Sequence, residues 1–255
     1  MDTVGRPVAL VTGASRGIGA ATALALAEHG NDVVITYRNK AARANEVASE
    51  VTRRGVRALA VGCDITQSED VDRLFATLGE WSGHLNLLVL NAAGGLERDL
   101  VADDPHYPMR INRDAQLALL DGALPLMLEG GTVIYVTSHW AHLHGQVDYM
   151  PGYAPVASTK HAGEQSLRAR QQELAERGIR LLVVTGDLIE GTIMAKMMER
   201  RAPGLSEERR QESQSGQLPS VTEMGEAIAS AAMDTTLPGG YTVVVGGALD
   251  TFKRR

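Results

Sequence analysis

Short apolar runs alternate with longer helix-like stretches along almost the whole chain, and this alternation limits the fold more than any other feature. Segments 8–11, 32–36, 57–61, 85–90, 132–137, 180–185 and 242–245 are rich in Val, Ile and Leu and read as strands. Most are bounded by Gly, Asn or Asp, and continuous apolar runs of this length suit strands covered on both faces. Between them, segments 18–28, 41–53, 68–81, 109–128, 158–177 and 222–233 read as helices. Strands that alternate with helices predict a parallel sheet wrapped by helices on both faces. No repeat, low-complexity tract or proline-rich linker divides residues 1–255, so one α/β domain is expected.

Composition narrows the function. The chain of 255 residues is 44% hydrophobic and 22% charged with a net charge of −6, which excludes wholesale disorder and a general nucleic-acid surface. No apolar run approaches the ~18 residues of a membrane span. Residues 1–7 show neither a basic start nor a long apolar stretch, so no signal peptide is expected and the cytoplasm is the predicted location. The single cysteine, Cys63, can form no intrachain disulfide and leaves no cysteine cluster for zinc, so no metal site is expected.

Segment 191–219 breaks the rhythm. It carries Met194, Met197 and Met198, then Arg200, Arg201, Pro203 and Gly204, then a polar run over 206–217. Two readings stand: a lid over a pocket, within an insertion at about 187–219, or a mobile solvated loop.

Directly after the first strand comes Thr12-Gly13-Ala14-Ser15-Arg16-Gly17-Ile18-Gly19, which opens a helix. Glycines let the chain turn tightly and approach a pyrophosphate, and the helix N-terminus supplies free N–H groups and a positive dipole end. Strand, glycine loop and helix in this order predict a dinucleotide site on a doubly wound, seven-stranded Rossmann fold.

This loop resembles that of the short-chain dehydrogenase/reductase family, and further likenesses follow in register. Asp64 and Ile65 after the third strand are similar to the family's adenine-holding Asp-Val step. Asn91-Ala92-Ala93-Gly94 after the fourth is similar to its Asn-Asn-Ala-Gly motif. Asn112, Ser138 and Lys160 stand where the family has its helix-borne asparagine, catalytic serine and lysine. The resemblance runs from Pro7 to about Gly247. It implies that Gly13, Ser15, Arg16, Gly17, Ile18, Gly19, Asp64, Ile65, Asn91, Ala92, Ala93, Gly94 and Lys160 bind a nicotinamide cofactor. It also implies a homodimer or a homotetramer.

Charge selects which cofactor. An NAD site places an acid at the end of the second strand, but here that strand continues Tyr37-Arg38-Asn39-Lys40 with no carboxylate. Arg38 and Arg16 flank the position of a 2′-phosphate, whose oxygens suit the arginine fork. NADP(H) is therefore expected, with Tyr37, Arg38 and Asn39 at the site. After the sixth strand, Gly186 and Thr192 are expected near the nicotinamide and the cofactor phosphate.

The catalytic pattern departs from the family. Four residues before Lys160, where a tyrosine is usual, stands Val156, which has no proton to give. Tyr153, seven before Lys160, matches the spacing of enoyl carrier-protein reductases, a branch of the same superfamily. Spacings of four and seven return to nearly the same helix face. The expected catalytic set is Ser138, Tyr153, Lys160 and Asn112, with Lys160 lowering the tyrosine pKa and Asn112 supporting a proton relay. Tyr149, His139, His142 and His144 remain alternative proton donors. The set suits hydride transfer to the carbonyl of a ketone or a 3-oxoacyl thioester, or reduction of an enoyl thioester. A catalytically silent NADP(H)-binding sensor is the reading from another class, motivated by Val156.

Overall fold

The structure, a computed structural model, describes residues 5–213 and 215–252; Met1–Val4, part of the segment read above for a leader, lie outside the described residues. The first half runs β1 (Val8–Val11), α1 (Gly17–Glu28), β2 (Asp32–Tyr37), α2 (Ala41–Arg53), β3 (Ala58–Gly62), α3 (Ser68–Ser82) and β4 (Leu85–Leu90). Next come α4 (Arg98–Asp103), α5 (Tyr107–Met109), a π-helical turn (Arg110–Asp114) and α6 (Ala115–Ala123). The second half continues with β5 (Met127–Ser138), α7 (His139–His142), α8 (Ala154–Arg168), α9 (Gln171–Glu176) and β6 (Arg180–Gly186). It closes with α10 (Ile193–Arg201), α11 (Leu205–Glu212), α12 (Val221–Met233) and β7 (Thr242–Val245).

Among the described residues seven strands form one sheet in the order β3-β2-β1-β4-β5-β6-β7, every pairing parallel. The chain winds outward from β1 to β3, then crosses back to lay β4 beside β1. The strand order reverses between these two strands, and a crevice opens there at their carboxyl ends. One face of the sheet packs on Leu74, Leu78, Leu119, Leu120 and Leu167. The other packs on Ala23, Leu26, Met224 and Ile228, from α1 and α12. Burial on both faces explains the continuous Val, Ile and Leu runs.

Three predicted boundaries shift. The expected helix over 109–128 ends at Ala123, because Pro125 cannot continue it and Met127 already pairs with Leu85 in the sheet. The helix expected over 158–177 starts at Ala154, with Pro155 in its first turn, and breaks after Arg168 before α9. Segment 191–219 contains two helices, α10 and α11, with Met198 fully buried. Among the described residues no helix is long and apolar enough to cross a membrane.

Candidate active site

A cleft of about 440 Å³ follows the carboxyl edge of the sheet, from the β1–α1 loop to α10. Its first wall is the glycine loop. Gly13 and Gly17 have φ of +66° and +58°, a region that costs other residues strain. A Cβ on Gly13 would lie 3.0 Å from Ala92, whereas nothing stands within 4 Å of one on Gly17. No side chain caps the first turn of α1, so its N–H groups remain available to a ligand. Thr12 braces the loop: its Oγ1 accepts from Asn91 N and Ala92 N, both at 3.0 Å.

Of the positions read as cofactor-binding, Gly13, Ser15, Arg16, Gly17, Ile18, Gly19, Tyr37, Arg38 and Asn39 border the cleft, as do Asp64, Ile65, Asn91, Ala92, Ala93, Lys160 and Thr192. Gly94 and Gly186 do not. Gly94 faces the Asn112 carboxamide and Glu97, and Gly186 packs under Ile189 and Met224, where a Cβ would come within 3.0 Å of Ile189 Cδ1. The close approach at Gly186 is to apolar side chains of its own fold. The hydroxyl of Thr192 donates to Ile189 O at 2.8 Å and accepts from Ala195 N at 3.0 Å, capping α10. Its proton is thereby used within the protein.

At the other end of the cleft, Ser138 ends β5 and Tyr153 immediately precedes α8. Their hydroxyls lie 2.9 Å apart. Tyr153 is buried against the Trp140 ring, so it stands on a packed segment. Burial raises its pKa, with the Ser138 hydrogen bond pulling the other way. This corrects the expectation that Lys160 would lower it: desolvation dominates, and the phenol's partner is Ser138.

Lys160 lies nearly two helical turns into α8 and borders the cleft. Burial lowers its pKa to about 8, opposed by the charge of Glu164. Glu164 is buried; its Oε1 meets His142 Nδ1 at 2.8 Å and Arg168 Nε at 2.9 Å, while Oε2 is buried without a hydrogen-bond partner. Burial pushes the Glu164 carboxyl up, but the hydrogen bonds and charges of His142 and Arg168 together hold it below its ordinary value.

Asn112, expected to support a proton relay, is buried behind the cleft wall. Its Nδ2 donates to Gly94 O and to Thr159 Oγ1, both at 3.0 Å, so the side chain ties the β4 loop to α8. The π-helical turn brings its backbone against Gly163, where a Cβ would lie 2.0 Å from Asn112 O.

The alternative acids do not border the cleft. His139 is buried, bonded to Thr185 at 3.0 Å, and burial lowers its pKa to about 4. His142 is taken by Glu164. Tyr149 Oη meets His144 Nδ1 at 2.5 Å and accepts from Gly145 N.

Several cleft residues escaped the sequence reading. Glu97 borders the cleft and its Oε2 accepts from Gly95 N and Leu96 N at 2.6 and 3.0 Å. Met150, Ile193 and Asp187 border it too. Asp187 pairs with Arg209 at 2.9 Å, and both are buried. Arg209 sits inside a polar run that looks solvated in sequence, so nothing local betrays it. Glu164 is different, since its spacing of four from both Lys160 and Arg168 is a readable helical signal. Among the described residues no group of three or more His, Cys, Asp or Glu could hold a metal ion.

A glycine loop, a serine–tyrosine pair and a lysine around one cleft match a known family in sequence as well. The family model for short chain dehydrogenases matches residues 7–202. This chain is a short-chain dehydrogenase/reductase. It is 35% identical over 188 residues to 1-cyclohexenylcarbonyl-CoA reductase of Streptomyces collinus, covering 72% of this chain and 65% of that protein. It is 33% identical over 175 residues to the hydroxynaphthalene reductase-like protein Arp2 of Metarhizium brunneum, covering 68% of this chain and 64% of that protein. The match thus spans just under two thirds of these relatives' length. Among solved short-chain dehydrogenase/reductase structures, the reductase LugOII, which catalyses keto-reduction at C1 during lugdunomycin biosynthesis, superposes with a TM-score of 0.81 at 28% identity. That likeness covers 97% of this chain and 100% of LugOII. The angucycline C-6 ketoreductase LanV with bound NADP superposes with a TM-score of 0.80 at 29% identity, covering 95% of each chain.

Proposed function

We propose that this chain is an NADPH-dependent reductase that transfers hydride to the carbonyl of a ketone or a 3-oxoacyl-type substrate. The observation that carries the reading is the 2.9 Å contact between the Ser138 and Tyr153 hydroxyls on a cleft that also holds Lys160 and the glycine loop. LugOII and LanV, named for keto-reductions, support it by likeness.

The residues present fit the dinucleotide. The open space over Gly17 and the uncapped first turn of α1 suit a pyrophosphate. Arg16, Arg38 and Lys40 line the same end of the cleft and suit a 2′-phosphate. LanV is described with bound NADP. When bound, the nicotinamide supplies the hydride.

In this reading Tyr153 is the proton donor. Its raised pKa keeps the phenol protonated at neutral pH, and an alkoxide developing on the substrate is basic enough to take that proton. Ser138 holds the phenol by their hydrogen bond and orients the substrate oxygen. Lys160 supplies positive charge on the same cleft when protonated, and Asn112 positions the β4 loop against α8. Trp140, Met150, Leu188, Ile193 and Met194 give the substrate end an apolar wall, with 187–219 acting as its lid. A cytoplasmic homodimer or homotetramer belongs to the same reading.

Enoyl reduction is the second reading. The seven-residue spacing of Tyr153 and Lys160 favours it, as does the likeness to a reductase named for 1-cyclohexenylcarbonyl-CoA. There Tyr153 would stabilise an enolate oxygen while hydride goes to the β-carbon. NADPH oxidation with matched 3-oxoacyl and trans-2-enoyl thioesters separates the two. Turnover of the 3-oxo compound supports the first reading, and turnover of the enoyl compound alone selects the second. NADPH binding without turnover of either compound, or of a panel of ketones, overturns both.

A further inference from the structure

Arg38, at the end of β2, is held from behind the cleft wall. Its Nη1 donates to Tyr107 Oη at 2.9 Å, across 69 residues of sequence. Tyr107 is only 4% exposed and does not itself border the cleft, whereas Arg38 does. The tyrosine belongs to α5, one turn ahead of Ile111, a cleft residue, and its short element packs on α8. Burial, then the Glu97 carboxylate, pushes the Tyr107 phenol above its ordinary pKa, so the hydroxyl stays neutral beside the guanidinium. A neutral oxygen can accept one N–H of Arg38 without neutralising its charge. The guanidinium has five N–H donors, so the others remain for an anion. An arginine held in place beforehand also loses less rotamer freedom when it binds a phosphate.

We propose that Tyr107 is a positioning residue that selects the 2′-phosphorylated dinucleotide by holding the Arg38 guanidinium at the cleft. The inference rests on the NADPH reading above. It assigns cofactor choice to a pair of residues and not to Arg38 alone. A free arginine at this position would favour any nearby phosphate, whereas a held one favours the phosphate at one place.

Calorimetric titration with 2′,5′-ADP and with 5′-ADP tests this without turnover. Tyr107→Phe removes one oxygen from a buried site. It is expected to weaken 2′,5′-ADP binding roughly threefold to tenfold, the range of one net hydrogen bond, and to leave 5′-ADP binding unchanged. Unchanged 5′-ADP binding also reports an intact site. In an Arg38→Ala background the same substitution is expected to have no further effect. KM for NADPH should rise by the same factor at constant kcat. Equal weakening of both nucleotides, or a loss that persists without Arg38, overturns the proposal. Full discrimination retained by Tyr107→Phe overturns it alone, leaving the NADPH reading intact. Equal binding of the two nucleotides by the unsubstituted chain overturns the NADPH reading and this inference with it.

Discussion

The hydroxyls of Tyr153 and Ser138 meet at 2.9 Å, while Val156, in the position four before Lys160, is buried in an apolar cluster and does not itself border the cleft. The phenol has therefore moved back along the chain to the residue just before α8, yet it meets the serine that ends β5. Tyr153→Phe keeps the ring and removes only the hydroxyl, the proton donor of the proposed reaction. It is expected to lower kcat about 100-fold or more, within the range for general acids, while costing about 1 kcal/mol of stability. Steady-state kinetics beside urea unfolding checks this. Unchanged turnover would remove Tyr153 from the chemistry.

A second prediction concerns the charge on Lys160. Burial depresses its pKa to about 8, and Glu164, four residues on, opposes that depression. Glu164→Gln removes the opposing charge, so the Lys160 pKa should fall further and the basic limb of the kcat/KM profile should move to lower pH. His142 and Arg168, which hold Glu164, and Tyr135, whose hydroxyl donates to Lys160 O, stay in place. A lower rate with an unmoved limb would show a structural role only. Stability follows the opposite sign. The folded pKa lies below the ordinary 10.5, so a penalty is present below about pH 8 and is relieved as pH rises from about 8 towards 10.5. Lys160→Met should flatten that part of the stability profile, read by urea unfolding at several pH values.

Much of this was legible in sequence because the central strands β1, β2, β4 and β6 are buried on both faces and each motif is local. The glycine loop, the Asp64 step and the Asn91 turn are short strings whose backbone conformation their own residues dictate. What stayed hidden depends on contacts between distant segments. Arg38 and Tyr107 meet only because the end of β2 and the start of α5 come together in the fold. Asp187 and Arg209 meet only because α11 folds back, although a polar run of that composition reads as solvated. Asn112 is expected from sequence to support a proton relay, but its side chain is turned to Gly94 O and Thr159 Oγ1, and the π-helical turn that aims it leaves no local signature. The helix expected over 109–128 stops short for a plainer reason: Pro125 is itself a local stop signal.

The turn that carries Asn112 yields a third prediction. Gly163 on α8 lets Asn112 O approach so closely that a Cβ would lie 2.0 Å from it. The neighbour is backbone, which cannot swing aside. Gly163→Ala gains helix propensity, worth ~1 kcal/mol at an exposed site. Here the clash should reverse that sign and destabilise the fold by about 1–3 kcal/mol, as overpacking does. Displacement of the turn should also loosen the Asn112 tie to Thr159 and Gly94, so activity should fall even where the protein remains folded. Urea unfolding and NADPH oxidation read the two effects separately; a stabilised, fully active variant would contradict the packing.

The last prediction concerns the ion pair between the segment after β6 and α11. Arg209 Nη2 and Nε reach Asp187 Oδ2 and Oδ1 at 2.9 and 3.2 Å, and the guanidinium lies 3.8 Å from the Phe252 ring centroid. Both side chains are buried, and Asp187 borders the cleft. Removing one partner of such a pair leaves a buried charge unpaired, at a cost of about 3–5 kcal/mol, whereas replacing both with apolar groups is often neutral. Arg209→Met should therefore destabilise strongly, and Asp187→Leu combined with Arg209→Met should recover most of the loss. Because the pair joins 205–212 to the cleft, Arg209→Met should also raise KM for substrate more than it lowers kcat. Urea unfolding of the two single variants and the double variant closes the cycle. Additive losses would mean that the two charges do not depend on each other, and that α11 is held by its other contacts, among them the Arg210–Glu190 ion pair.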